Sequence, residues 1–214
     1  MRIDRLVALP LILCLAGGSY AQGWITYVSR EDRFSVNFPA EPSVTEIEYD
    51  SEYGAVFPGR VHSYEVGDSS YSVTVIDYTD AERIHAERTN RTQADSLVIY
   101  WQIDVMASIA YAAWQFRQRD AEVTYDAWHY IDLIEGHQLQ LTNRDGSRTF
   151  AGIYLHESRL YIIEATAPAG SPPPGLFQQS LVLLDEDGNG VRYSEIYSNR
   201  LPPPPPFGPA LEGQ

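Results

Sequence analysis

The stretch Leu-Leu-Asp-Glu-Asp-Gly-Asn-Gly at 183–190 sets Asp185, Asp187 and Asn189 at alternate positions ahead of Gly190. Oxygen ligands at positions 1, 3 and 5 with glycine at 6 are the first half of a calcium loop. The second half is missing. Position 12 is Ile196 and the nearest acid, Glu195, falls one place early, so no bidentate carboxylate closes the shell. Asp187-Gly188 and Asn189-Gly190 are also dipeptides that accept positive φ. The expectation is a metal-free turn with solvent-facing acids, built on both dipeptides, that reverses the chain into a strand over 191–197.

A second group is His129, Asp132, Glu135 and His137, whose side-chain types suit a metal or an acid/base pair. On one strand, His129 and Asp132 point to opposite faces because their spacing is odd. In an unbroken strand His129 and His137 lie about 26 Å apart, and a hairpin at Glu135-Gly136 brings them closer without making them adjacent. They read as sheet or surface histidines. His62, His85 and His156 are dispersed, and no serine sits in a Gly-x-Ser-x-Gly elbow. A hydrolytic site assembled in space from scattered histidines and acids is the alternative to a protein without catalysis. Tyr100, Trp101, Tyr111 and Trp114 fall at helical spacing, which favours filling the gap between a helix and a sheet over lining an apolar or sugar pocket. No residue is assigned a catalytic, cofactor-binding or metal-ligating role, and no cofactor is expected.

Composition narrows the chemistry. The 214 residues carry 15 basic and 29 acidic side chains, a formal charge of −14, and every basic one is arginine. Without lysine there is no Schiff-base chemistry and no P-loop lysine. So acidic a surface repels phosphate backbones and anionic headgroups, which argues against nucleic acid or membrane surfaces as partners. Residues 1–21 read as a secretory signal peptide, with Arg2 and Arg5 before an apolar run from Leu6 to Ala16 and small residues at Ser19 and Ala21. Cleavage there removes Cys14, the single cysteine, and leaves no disulfide, thiol nucleophile or cysteine-bound zinc. It also makes the chain one unit more acidic. Location in the periplasm or outside the cell follows as an expectation.

The elements that must position these groups are legible as periods. Alternation of two marks strands in Phe-Ser-Val-Asn-Phe at 34–38, around Val61 and Ser63, and through Tyr71, Val73 and Val75. The mixed-charge run 80–91 reads as a solvated loop or a lead-in to the next helix. Helical period takes over at 92–119, with Leu97, Trp101, Val105 and Ser108 on one stripe and Ile99, Ile103, Met106, Ala110 and Ala113 on its neighbour. The second stripe is expected to face a sheet, leaving Gln102 and Asp104 in water. Those two and Gln115 also argue against a membrane span. Strands return at 123–131, 137–143, 148–155 and 160–166, the last three joined by short turns and hence antiparallel. Leu176, Phe177, Ser180, Leu181 and Leu184 suggest one more short amphipathic helix after a proline run. Five prolines at 202–206 cannot donate ladder hydrogen bonds, so 199–214 is expected to be an extended, mobile tail after a single domain over 22–198.

This order is that of an α+β domain, an antiparallel sheet flanked by helices. The segments from Trp24 through Phe34-Ser-Val-Asn-Phe-Pro39, and from Arg159-Leu-Tyr to Leu181, resemble the two ends of bacterial secreted domains of the PsbP fold. The resemblance runs from about Trp24 to Leu184, and its motifs serve packing and turns. It implies an α/β/α sandwich and a non-catalytic accessory role, binding a protein partner or small ligand in the bacterial envelope, with no catalytic residue to carry over.

Overall fold

Phe34, Val36 and Phe38 alternate with Ser35 and Asn37, and a chain so patterned must lay one face on apolar partners. Those partners are on the far side of a larger sheet. The computed structural model describes residues 23–89 and 100–199. Within them the chain forms β1 (Ile25–Ser29), β2 (Phe34–Phe38), β3 (Ser43–Asp50), β4 (Val56–Val66), β5 (Ser69–Asp77), α1 (Ala81–Glu87), α2 (Tyr100–Arg117), β6 (Ala121–Ile131), β7 (Ile134–Asn143), β8 (Arg148–His156), β9 (Arg159–Ala167), α3 (Gly175–Gln178) and β10 (Val182–Leu183). Seven strands pair antiparallel in the order β3-β4-β5-β9-β8-β7-β6, and β1, β2 and β10 make a separate small sheet.

The period of two in the central strands builds two cores, one on each face. Leu160 and Ile162 of β9, Ile76 of β5 and Leu139 and Leu141 of β7 meet α2 through Val105, Ile109, Ala112, Ala113 and Phe116. Tyr161 and Ile163 of β9 and Val73 and Val75 of β5 point the other way, to Phe34, Val36, Phe38, Phe177 and Leu183. Helices therefore cover one face. The other is covered chiefly by the small sheet, with α3 a single turn beside it, where the sequence led us to expect helices on both sides.

Several expectations change. On α2 the buried stripe is Val105, Ser108, Ile109 and Ala112, while Met106 is 68% exposed and Ile103 also reaches solvent. Asp104, expected in water, is 1% exposed. Small residues at 108, 112 and 113 lie on the buried face, and Asp104 meets His85 and Ser51 there. Thr92, Leu97 and Ile99 of the expected helix lie outside the described residues, as do the leader 1–21 and nearly all of the tail. Trp101 packs on the core, but Trp114 is half exposed and stacks on Tyr111 at 5.7 Å instead of filling the gap. The charged run after Asp80 is the helix α1, which buries Ala81 and His85. The expected helix over 176–184 stops at Gln178, after which Val182 and Leu183 pair with Ser35 and Phe34 of β2. The expected strand at 191–197 is irregular, meeting the sheets through an isolated bridge from Tyr197 to Ile134, the Val191 N–H donating to the Leu183 carbonyl, and Tyr193 beside His156. Strands β1 and β3 appear in addition to the three early strands expected.

The β6–β7 reversal is a two-residue turn at Asp132 and Leu133, with φ of 47° and 66°, and not at Glu135-Gly136. That turn fixes the register, so His129 faces Gly136 and Trp128 faces His137.

Candidate functional site

Three of the five histidines meet an aspartate. Asp32 sits in the β1–β2 turn, where its carboxylate accepts from Ser29 Oγ at 3.1 Å and from Arg60 Nε at 2.9 Å, and meets His62 Nε2 at 2.8 Å. Its backbone carbonyl accepts from Tyr161 Oη at 2.9 Å. Arg60 and His62 stand on β4 and Tyr161 on β9, so the cluster fastens the small sheet to the large one. Burial pushes the Asp32 carboxyl up, but hydrogen bonds from His62 and Arg60 and the guanidinium charge outweigh it and hold it at about 2. On the far nitrogen of His62, Nδ1, lies the Tyr27 hydroxyl at 3.0 Å.

The second pair lies in the helix-side core. Asp104 of α2 meets His85 Nε2 of α1 at 2.8 Å and accepts from Ser51 Oγ at 2.5 Å, all three side chains being buried. His85 Nδ1 is buried without a hydrogen-bond partner. The third pair is at the sheet edge, where Asp126 of β6 accepts from Arg117 Nε at 2.6 Å and contacts His137 Nε2, against whose ring Trp128 sets its edge. Arg117 is the main reason that the Asp126 carboxyl stays at about 2.

These arrangements decide what the histidines can do. A serine relay needs the imidazole between hydroxyl and carboxylate, so that the base takes the hydroxyl proton. In the clusters of Asp32 and Asp104 the carboxylate stands between serine and histidine, and the serine hydroxyl donates to it. The remaining histidines meet tyrosines: His156 Nε2 lies 2.8 Å from the Tyr193 hydroxyl and His129 Nδ1 lies 2.9 Å from that of Tyr154. Burial lowers the pKa of both, favouring neutral rings. His129 and His137 sit on adjacent strands but on opposite faces.

The 185–190 segment closes on itself. Asp185 accepts from the backbone N–H of Asn189 at 2.8 Å, and Asp185 N–H donates to the carbonyl of Asn189 at 2.9 Å. One positive-φ glycine, Gly188 at 85°, suffices for the reversal, where two were expected. Among the described residues no three His, Asp or Glu side chains are placed to hold a metal ion.

Of the concavities among the described residues, two lie against the large sheet. The larger, ≈ 720 Å³, opens beside the Asp32 cluster and is lined by Glu31, Glu46, Glu48, Asp77 and Arg159 over Pro58 and Val75. The smaller, ≈ 460 Å³, lies between α3 and strands β6, β7 and β8, with Gln138, Gln140, Gln178, Gln179, His129 and Tyr154 in its wall. Its construction depends on two glycines. A Cβ on Gly136 would sit 2.2 Å from the Tyr154 ring and one on Gly152 3.1 Å from it, so the ring lies over both strands only because neither carries a side chain. The glutamines escaped the sequence reading, since alternate polar residues on a strand signal no more than a solvated face. Glycines inside two strands flanking a tyrosine were the available sign.

The solution structure of cyanobacterial PsbP (CyanoP) from Synechocystis sp. PCC 6803 is similar to this chain, with 12% sequence identity and a TM-score of 0.43, covering 78% of this chain and 96% of that one. No family model and no curated protein matches the sequence. At that identity the site residues stand on their own geometry.

Proposed function

We propose that the chain is a secreted, non-catalytic accessory domain of the bacterial envelope that binds a protein partner or a small ligand. The observation that carries this reading is the order of groups in the histidine clusters. Each aspartate is occupied in joining two elements, and the serines of the Asp32 and Asp104 clusters hydrogen-bond the carboxylate and not the imidazole. The leader-like residues 1–21 support an extracytoplasmic location. Among the described residues no helix is long and apolar enough to cross a membrane.

The alternative, a hydrolase using the scattered histidines and acids, has its nearest approach in the row Tyr27, His62, Asp32. There the hydroxyl, imidazole and carboxylate do stand in relay order. Burial, followed by the charges of Glu41 and Asp32, raises the Tyr27 hydroxyl, which keeps its proton where a nucleophile must lose it.

Expression of the whole chain in a Gram-negative host tests both parts. The expected product begins at Gln22, leaves with the periplasmic fraction, and turns over no chromogenic ester, phosphate, glycoside or peptide. An uncleaved cytoplasmic product overturns the location. Turnover that Tyr27→Phe or Asp32→Asn abolishes overturns the absence of catalysis.

A further inference from the structure

We propose that the pocket between α3 and strands β6, β7 and β8 binds an uncharged, hydroxyl-rich ligand of the class of neutral oligosaccharides. The inference rests on the binding-domain reading above and names the site and ligand class. Its first support is electrostatic. The chain carries 29 acidic residues, and they crowd the larger cleft, yet none lines this pocket. Arg148 is the one formally charged side chain in its wall, and its guanidinium is held by the Ser171 carbonyl and lies over the Phe150 ring. His129 is kept neutral by burial. With no acid in the wall, and its one charge an arginine turned to the Ser171 carbonyl, the pocket gives a cation nothing to offset the loss of its hydration, whereas a neutral polar ligand leaves water at lower cost.

The second support is hydrogen-bonding capacity. The side-chain amides of Gln140, Gln178 and Gln179 make no hydrogen bond to any other described residue. Each offers two N–H donors and a carbonyl acceptor, the complement of hydroxyls that both donate and accept. Gln138 and His129 are already linked through the Tyr154 hydroxyl, which fixes one wall. Tyr154 and Phe150, each 3% exposed, close the floor of the pocket beneath these amides. A volume of ≈ 460 Å³ lies within the range of small-molecule sites. The larger cleft lacks this character, because Glu31, Glu46, Glu48 and Asp77 line it together with Arg60 and Arg159.

Isothermal titration of the whole chain with maltotriose, cellotriose and tri-N-acetylchitotriose tests the assignment, with trigalacturonate and fully deacetylated chitotriose as charged controls. The expected result is saturable binding of at least one neutral trisaccharide, unchanged between low and high salt. Gln178→Ala combined with Gln179→Ala is expected to weaken that binding about tenfold while leaving the melting temperature in place, since two hydrogen bonds are lost from exposed and half-buried positions. No binding of any neutral probe overturns the pocket's assignment and leaves the wider reading to stand on a protein partner. Tighter, salt-sensitive binding of a charged control, or a double variant that binds as well as the parent, also overturns it. Shortened glycans after incubation would leave the site standing and overturn the non-catalytic reading instead.

Discussion

Replacing Asp32 by asparagine keeps the shape of the β1–β2 turn and removes the charge that Arg60 and His62 hold. The carboxyl falls from its ordinary 3.8 to about 2 in the folded chain, and the side chain is 6% exposed, so solvent screens little of the effect. That drop corresponds to about 2 kcal/mol of folding stability. Because the folded pKa is the lower one, this stability is complete above pH 3.8 and is lost as pH falls from there through about 2. At neutral pH Asp32→Asn is expected to cost more than the linkage alone, roughly 3–5 kcal/mol, since an arginine is left beside a neutral amide. On acidification the gap between parent and variant should narrow by about 2 kcal/mol. Urea unfolding followed by tryptophan fluorescence from pH 7 to pH 2 measures it directly. A gap that stays constant across that range would refute the reasoning, since it would mean that Asp32 titrates alike in both states. Asp126 shares the depressed pKa but is 31% exposed, so Asp126→Asn should show a smaller version of the same narrowing.

The helix face provides a second expectation: Ile109→Ala should destabilise by roughly 2–4 kcal/mol, whereas Met106→Ala should stay within about 0.5 kcal/mol, both by chemical denaturation. Asp104→Ala leaves His85 and Ser51 buried without their carboxylate, and a loss of roughly 3–5 kcal/mol is expected in the same assay. Millimolar calcium should leave the melting temperature unchanged in the parent and in Asp187→Ala alike. A rise of several degrees that the substitution removes would make 185–190 a metal site, because micromolar affinity adds about 4 kcal/mol at thousandfold excess.

The sequence by itself determined the class of element along most of the chain and the chemistries that lysine and cysteine would have provided. Strands β6 to β9 were legible because alternation and short turns are local properties that survive without knowledge of neighbours. What depends on distant partners was not. Apolar residues surround α2 on most sides, so two neighbouring stripes competed and the one expected to face the sheet is the more exposed, and the burial of Asp104 was settled by His85 and Ser51, 19 and 53 residues away in the chain. In the same way Leu181 to Leu184 has the spacing of a helix, but the free edge of β2 offered backbone partners that a helix could not use. The pocket was the least legible of all. Its glutamines come from β7 and from the end of α3, and its tyrosine from β8. Only the antiparallel register, with Gly136 and Gly152 on either side of Tyr154, brings them to one wall.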